Sequence, residues 1–407
     1  MFGKIVFSSV LSLLCLWGLT VKTAAQTSEN IVSDTIIKSL VFNPGDYGSK
    51  FYRIPAIVTT EDGNLLAVAD KRIESMADLP GKIDVVARIS EDGGCTWGPY
   101  TTVIENDGIG GYGDPALVVD RRNGDVLMIC THGNGLWQDA PGYITVVRSR
   151  DGGRSWGDPL FINDHVFCAE SDGRQPIKNV KAAFASSGGA VQLDNGRIMF
   201  ALVVREKDKR GFLNYAVYSD DGGYTWSASG NPAHTNGDEA KIAQLADGSL
   251  VMSIRSRSKG GLRQFSYSDD LGETWSAQVG VTDIIDPACN GDLIRYTHGG
   301  HDFLLQSIPA AMTNNPVSFE NDADGTIDER ADIAVFISRD RGASWPSHYQ
   351  LMYGSAAYSA MTVMPDGDLG VLIEEEFENA GQGYCIRFYR VPTEVLLGCE
   401  KTGCKGE

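Results

Sequence analysis

Proline and positive charge are both scarce in this sequence. It has 15 prolines in 407 residues, which argues against a long Pro-rich linker. Its 35 Lys and Arg residues face 53 Asp and Glu residues, giving a formal net charge of −18. Such an acidic surface disfavours binding to nucleic acid and to anionic lipid. An anionic ligand would therefore need a local cluster of arginines to hold it against an unfavourable overall field.

Long apolar runs are also lacking, except for one at the N-terminus. One lysine precedes the apolar run over residues 5–21, and two small residues follow it before Gln26, which is typical of a cleaved secretory signal. A membrane anchor is the alternative, but the run is short for a span and no stop-transfer pattern follows. We expect residues 1–25 to be a signal peptide and the rest to be exported, to the periplasm or out of the cell, without stable membrane insertion.

Cysteine is sparse and, beyond residue 25, odd in number. Seven cysteines remain there, and an odd number cannot all form pairs. Cys399 and Cys404 are close enough in sequence for one small-loop disulfide. Buried free thiols are the simpler interpretation for most of the others.

Glycine, in contrast, is abundant, with 47 residues, and part of it lies in a repeated pattern. The pattern Ser-x-Asp-x-Gly-x-Ser/Thr-Trp builds a turn: the Asp side chain caps backbone N–H groups, Gly adopts a φ that other residues resist, and Trp anchors the loop. We interpret its five copies as scaffold and not as catalytic sites. They are Ser90–Trp97, Ser149–Trp156, Ser219–Trp226, Ser268–Trp275 and Ser338–Trp345.

A second series of turns precedes these boxes, and each turn leads into an apolar run. The six turns are Asp62-Gly63, Asn123-Gly124, Asn195-Gly196, Asp247-Gly248, Gly299-Gly300 and Asp366-Gly367. The boxes recur about every 62 residues, which divides the chain beyond residue 25 into about six units. A unit of this length with two turns suits a four-stranded antiparallel meander. The sequence therefore predicts an all-β, six-bladed β-propeller that occupies residues 26–407 as one domain.

Charged side chains fall in phase with these turns. The two turns of a meander lie at the same end of a propeller, so residues seven to ten positions away from them emerge at the opposite end, around the axis. Four arginines, three acids and one tyrosine have this spacing, and Asp78 follows in the next loop. The eight residues are Arg53, Arg72, Arg255, Arg330, Asp114, Glu239, Glu374 and Tyr358.

The segment Phe51–Pro55, Phe-Tyr-Arg-Ile-Pro, is similar to the Phe/Tyr-Arg-Ile-Pro motif of the sialidase (neuraminidase) family, and the five boxes resemble that family's Asp boxes. The resemblance runs from about Ser39 to Val391. It implies a single catalytic propeller domain that releases terminal α-linked sialic acids from glycoproteins, glycolipids and oligosaccharides. It also implies that no cofactor is needed, and we expect no metal in the site.

The resemblance further implies a role for each of these polar residues. Arg53, Arg255 and Arg330 match the arginines that clamp the sialic acid carboxylate, and Glu374 matches the acid that steadies the first of them. Asp78 resembles the general acid/base, Tyr358 the nucleophile and Glu239 the acid partnered with that tyrosine. Arg72 and Asp114 resemble substrate-contacting positions near the 4-hydroxyl and N-acetyl end of the sugar.

Three of these assignments have rivals of equal strand parity or adjacent position. Arg257 competes with Arg255, and Glu376 competes with Glu374. Asp238 stands where the family usually has Asn, which makes it a possible stand-in for Glu239.

A tyrosine nucleophile suits a substrate that carries its own carboxylate at the reacting carbon. A carboxylate nucleophile would approach against like charge, whereas a neutral phenol does not. The phenol pKa near 10 makes a base necessary as the bond forms. Sialidases are the known tyrosine exception to the two-carboxylate scheme of glycosidases.

Two other functions remain open from the sequence. A transferase would pass the sialyl group to another sugar or to the sugar's own hydroxyl. It would differ from a hydrolase only in how well water is excluded from the opening of the active site. A catalytically silent propeller would bind sialic acid as a lectin, for which the arginines alone would suffice. Linkage preference depends on rim loops such as Thr131–Pro141, around Trp137.

Two further motifs carry little weight. Gly108–Gly113 satisfies a dinucleotide-binding pattern, but Asp114-Pro115 and an apolar strand follow where a helix is required. His298 and His301 flank a predicted hairpin turn with no third ligand evident, so we do not interpret them as a metal site.

Overall fold

Antiparallel pairing of consecutive strands dominates the structure. The computed structural model describes residues 36–167, 177–207, 210–257, 261–314, 330–377 and 383–402. The predicted signal peptide, residues 1–25, and the predicted Cys399–Cys404 disulfide lie outside the residues whose side chains are described. Cys130, Cys289 and Cys385 are buried free thiols, as expected, while the free thiol of Cys95 is exposed.

The strands form six sheets, and the predicted six-bladed propeller is confirmed. Blade 1 contains β2 (Phe51–Thr59), β3 (Leu65–Arg72), β4 (Ile83–Ser90) and β5 (Thr101–Ile104). Blade 2 contains β6 (Tyr112–Asp120), β7 (Asp125–His132), β8 (Tyr143–Ser149) and β9 (Leu160–Phe161), and β11 (Gly188–Gly189) adds to β6 in parallel. Blade 3 contains β10 (Val180–Ala185), β12 (Val191–Gln192), β13 (Ile198–Glu206), β14 (Leu213–Ser219) and β15 (Ser227–Ala228).

The remaining three blades complete the ring. Blade 4 contains β16 (Gly237–Gln244), β17 (Leu250–Ser256), β18 (Gly261–Ser268) and β19 (Val279–Asp286). Blade 5 contains β20 (Asp292–His298), β21 (His301–Pro309), β22 (Ile333–Ser338) and β23 (Ser347–Gln350). Blade 6 contains β24 (Ala356–Val363), β25 (Leu369–Glu376) and β26 (Tyr384–Val391), and β1 (Ile37–Phe42) from the start of the described chain is its outermost strand.

Helices are few and short in the described chain. They are a 3₁₀ turn (Asp46–Gly48), α1 (Asn163–Val166), α2 (Ala311–Asn314) and α3 (Thr393–Thr402). Within the described ranges, no helix combines the length and apolarity needed to cross a bilayer.

Apolar cores fill the spaces between neighbouring blades. Between blades 1 and 2, for example, Leu66 and Val68 pack with Met128 and Val147. Equivalent clusters join each of the other five neighbouring pairs, including blades 6 and 1. Because strand side chains alternate between two faces, each blade buries both of its faces against its neighbours.

The predicted turns form as the sequence indicated. Five of the six turn pairs join the first long strand of a blade to the next strand, and in blade 3 the turn joins the short β12 to β13. The turn glycines have positive φ, such as 81° at Gly63 and 92° at Gly367. The boxes follow the third strand of blades 1 to 5. Both sets of turns therefore lie at the same end of the propeller, opposite the end where the charged residues emerge.

The five boxes share one hydrogen-bond pattern. In the blade 4 box, Asp270 accepts from the Ser268 hydroxyl at 2.8 Å and from the Thr274 N–H and hydroxyl at 2.9 and 2.6 Å. The Ser268 hydroxyl accepts the N–H of Gly272 at 2.9 Å. Equivalent bonds occur in the other four boxes, so the Asp carboxylate closes each loop.

Replacing Asp270 by Ala should therefore weaken the fold without touching the candidate site. We expect the free energy of unfolding to fall by about 1 kcal/mol, because several local hydrogen bonds are exchanged for bonds to water. Urea denaturation measures this loss. Asp269→Ala, which changes the adjacent exposed aspartate, is the matched control, and an equal effect of both variants would contradict the capping role.

Candidate active site

A polar cavity of about 240 Å³ opens at the end of the propeller opposite the boxes. Seven of the nine residues predicted from the sequence line it: Arg53, Asp78, Asp114, Glu239, Arg255, Arg330 and Tyr358. The other two, Arg72 and Glu374, are buried behind its wall. Charged residues from four blades and the tyrosine from a fifth therefore converge on one mouth, as the turn spacing predicted.

Bulges in the innermost strands place four of these lining residues. In β2, β6, β16 and β24, two residues face a single residue of the second strand of the blade. Asp114, Glu239 and Tyr358 lie within these bulges, and Arg53 lies directly before one. A bulge redirects side chains and ends regular pairing, which is why bulges are frequent beside functional sites.

Glu374 connects two of the bulges from behind the cavity. Its Oε1 accepts from the Arg53 Nε at 2.8 Å and from the Ile54 N–H at 2.6 Å, and its Oε2 accepts from the Tyr358 N–H at 3.1 Å. The side chain is fully buried. Ile54 has a φ of 59°, an unfavourable value for a β-branched residue, and the bond to Glu374 helps to hold it there.

Tyr358, Glu239 and Arg255 form a compact triad at the base of the cavity. The Tyr358 hydroxyl donates to the Glu239 Oε2 at 2.9 Å, and Arg255 Nη1 donates to the same oxygen at 2.5 Å and to the tyrosine oxygen at 3.0 Å. Burial, together with the charge of Glu239, raises the pKa of Tyr358 well above its usual value, although Arg255 opposes the rise. The phenol is therefore neutral at ordinary pH.

The other two arginines of the predicted clamp flank the tyrosine ring. The Arg53 guanidinium carbon lies 5.2 Å from the centroid of the Tyr358 ring, and that of Arg330 lies 6.0 Å from it. Arg330 also donates to the carbonyl of Ala288 at 2.7 Å. Three guanidiniums thus surround one phenol, which creates a positive region inside an acidic protein.

Asp78 stands at the open side of the cavity. Its Oδ1 lies 2.8 Å from the Arg72 Nη2, and its side chain is 75% exposed, whereas that of Arg72 is 1% exposed. Arg72 itself does not line the cavity, and its ion pair with Asp78 is its direct contact with a residue that does.

Asp114 and the buried Asp70 carry unusual protonation properties. Burial raises the pKa of Asp70 to about 7, and Arg72 opposes this rise. Burial and then the charge of Asp70 raise the pKa of Asp114 well above its usual range.

The structure separates the predicted residues from their rivals. Glu239, and not Asp238, contacts the tyrosine, although Asp238 also lines the cavity. Arg257 stacks on Phe212, with its guanidinium carbon 3.5 Å from the ring centroid. Glu376 lies at the end of β25, two residues beyond the carboxylate that holds Arg53.

Two features of the site escaped the sequence analysis. One is an apolar wall formed by Leu136, Trp137, Phe184 and Phe212, for which the sequence indicated only a rim loop around Trp137. The other is Asp70. The sequence does contain a signal for Asp70, its spacing from the turn glycine. Asp70 follows Gly63 by seven residues, the same offset at which Arg255 follows Gly248.

The donor set of the site does not suggest a metal. Across the ranges that the structure covers, no three His, Cys, Asp or Glu side chains are grouped as metal ligands. His298 and His301 are paired residues at the ends of a hairpin, as expected from the sequence.

Comparison with known proteins assigns the family. The model of the BNR repeat-like domain matches residues 63–371. The chain is 31% identical over 348 residues to a sialidase of Micromonospora viridifaciens, covering 81% of this chain and 50% of that protein. It is 28% identical over 363 residues to a sialidase of Bacteroides fragilis, covering 82% and 62%. The chain therefore belongs to the BNR-repeat family of bacterial sialidase-like proteins.

Solved structures agree with this assignment. A Hadza microbial sialidase superposes with a TM-score of 0.74 at 28% identity, covering 88% of this chain and 69% of that one. An intramolecular trans-sialidase from Ruminococcus gnavus superposes with a TM-score of 0.70 at 19% identity, which shows a shared fold. The chain spans only 50% and 62% of the length of the two sialidases named above.

Removing the Glu374 carboxylate should destabilise the propeller. Glu374→Ala leaves a buried guanidinium and two backbone N–H groups without their acceptor, so we expect the free energy of unfolding to fall by about 3–5 kcal/mol. Urea denaturation measures the loss. The matched control is Glu376→Ala, on the same strand, and equal losses in the two variants would contradict the role of Glu374.

Proposed function

We propose that this protein is an exo-α-sialidase. It hydrolyses terminal α-linked sialic acids of glycoproteins, glycolipids and oligosaccharides with retention of configuration, through a covalent tyrosyl intermediate. One observation carries the proposal: a buried tyrosine hydroxyl shares a glutamate oxygen with an arginine, at the base of a cavity that two more arginines line. The family assignment supports the same substrate class.

Substrate binding follows from the three arginines. Arg53, Arg255 and Arg330 offer charge-assisted hydrogen bonds to the substrate carboxylate, each stronger than a neutral bond. They hold the anomeric carbon over the Tyr358 oxygen. The apolar wall on the other side of the cavity accommodates less polar parts of the sugar.

In the first chemical step, the Tyr358 oxygen forms a bond to the anomeric carbon while the bond to the leaving oxygen breaks. Glu239 takes the phenol proton, and Asp78 donates a proton to the leaving oxygen. The raised pKa of Tyr358 makes this base essential, because the free phenol does not ionise at working pH.

In the second step, water attacks the anomeric carbon and breaks its bond to Tyr358. Asp78 takes a proton from the water, and Glu239 returns a proton to the phenolate. Two displacements on opposite faces give net retention. Asp78 gives up its proton in the first step, so it is already a carboxylate that can take the proton from water in the second. Its exposed position at the open side of the cavity keeps it accessible to that water.

The second candidate is a trans-sialidase, in which another hydroxyl replaces water in the second step. This candidate is supported by the similarity of the fold to intramolecular trans-sialidases, including one from leech in complex with 2,7-anhydro-Neu5Ac. The exposed Trp137 at the mouth is a surface that could exclude water. A sialic-acid-binding propeller without catalysis is the third candidate, and the Tyr358–Glu239 pair argues against it.

Turnover of a fluorogenic sialoside is the direct test. We expect the wild-type protein to release the fluorophore and Tyr358→Phe to lose several orders of magnitude in kcat, since the nucleophile is removed. Tyr215→Phe is the matched control, because Tyr215 also donates to a glutamate, Glu206, at 3.0 Å but lies outside the cavity.

The outcomes separate the three candidates. NMR of the first product distinguishes α-sialic acid, expected for the hydrolase, from a 2,7-anhydro sugar or a transfer product. Binding of sialic acid without release would favour the lectin. Equal rates of wild type and Tyr358→Phe would show that the nucleophile is assigned wrongly.

We expect kcat/KM to be highest on the acidic side of neutral. A general acid assists the leaving oxygen only in its protonated form, so activity should be lower at higher pH. The raised pKa of Tyr358 means that loss of the phenol proton does not set this decline. Initial rates measured from about pH 5 to 9 test the expectation, and a flat profile over this range would contradict the role of Asp78.

A further inference from the structure

The buried Asp70 repeats, one blade further on, the arrangement around Glu374. Glu374 lies on the second strand of blade 6, and it accepts from an arginine and from the bulge N–H of Ile54 in blade 1. Asp70 lies on the second strand of blade 1, and it accepts from Arg72 and from the bulge N–H of Asp114 in blade 2. Both carboxylates follow their turn glycine by seven residues.

The distances around Asp70 make it the centre of a small network. Its Oδ2 lies 3.1 Å from the Arg72 Nη2 and 3.4 Å from the Nε, and its Oδ1 accepts from the Asp114 N–H at 3.1 Å. Asp70 is 1% exposed, so these bonds lie away from water, where they are strong. Burial raises the pKa of the Cys130 thiol, and the charges of Asp70 and Asp114 raise it further.

The bulge at Asp114 depends on this support. Asp114 has a φ of 60°, and Pro115 follows it, so the chain cannot form regular ladder bonds at this point. The equivalent bulge at Ile54 has a φ of 59° and also precedes a proline. In each case the strained N–H is held by a buried carboxylate of the preceding blade.

Arg72 transmits the position of Asp70 to the general acid. Its Nη2 lies between the two carboxyl groups, 3.1 Å from Asp70 and 2.8 Å from Asp78. Its Nη1 donates to the carbonyl of Met76, in the loop that leads to Asp78. Both terminal nitrogens of the Arg72 guanidinium therefore have partners within the protein, and Asp78 contacts this group through Oδ1.

We propose that Asp70 is a positioning residue that holds the general acid Asp78 through Arg72 and holds Asp114 through its backbone. The inference rests on the proposed function. Asp70 does not line the cavity, so it acts on the reaction only through these two residues. Its loss should impair proton donation to the leaving group more than it impairs binding of the sialic acid carboxylate by the arginines on the other side.

The test is Asp70→Asn, which keeps the size of the side chain but cannot supply acceptors to both Arg72 and Asp114. Two substrates report on it: 3′-sialyllactose, whose sugar leaving group needs a proton, and an aryl sialoside, whose phenolate leaves with less help. We expect kcat for sialyllactose to fall about 100-fold and kcat for the aryl sialoside less than about 10-fold, with KM nearly unchanged.

The matched control is Asp84→Asn on the neighbouring strand. Asp84 is also buried and ion-paired, with Lys71 Nζ at 3.3 Å, but it lies outside the cavity. We expect it to leave the ratio of the two rates unchanged. Equal losses on both substrates in Asp70→Asn, or no loss, would overturn the positioning role.

A second variant covers the case in which Asp70→Asn does not fold, as judged by its thermal melting. Asp70→Glu keeps the acceptors but displaces them by one methylene, so it should show the same selective loss on sialyllactose to a smaller degree. An unchanged rate ratio there would also overturn the proposal. If the wild type releases sialic acid from neither substrate, the proposed function fails, and this inference fails with it.

Discussion

The buried carboxylate of Glu374 is the contact on which the site most depends. It is a single negative group that accepts hydrogen bonds from one guanidinium and from two backbone N–H groups in bulges of different blades. Taking a charge out of water is costly unless it is fully bonded, so the site is stable only when all these donors are in place. Arg53 and Tyr358 are therefore fixed relative to each other before any ligand arrives, which is what electrostatic preorganisation requires.

Charge is balanced locally in the site even though the whole protein is strongly acidic. Arg255 is matched by Glu239, Arg53 by Glu374, and Arg72 by two aspartates, while Arg330 donates to a backbone carbonyl. The guanidiniums of Arg53, Arg255 and Arg330 stand together inside a concave opening. Such an opening concentrates field lines, so a ligand carboxylate is attracted at short range although the outer surface repels it.

Most of the fold and much of the site could be predicted from local chemistry. The boxes and turns use residues whose backbone preferences hardly depend on tertiary context, so their spacing determined the number of blades and the end at which charges emerge. Whether a side chain reaches the cavity or lies behind its wall could not be predicted in this way. Arg72 and Arg255 have similar offsets from their turns, but only Arg255 reaches the cavity, because Asp70 and the Met76 carbonyl hold Arg72 behind Asp78. The bulges also escaped, although Pro55 and Pro115 interrupt two inner strands and indicated where regular pairing ends.

Closure of the ring by β1 and β26 has a consequence for how the protein folds. These strands pair across almost the whole chain, and such distant contacts form slowly because a long loop must first be closed. Arg53 and Glu374, which are 321 positions apart in sequence, meet only when that closure is complete. A chain interrupted before blade 6 lacks both Tyr358 and Glu374, so the complete site forms only in the last step.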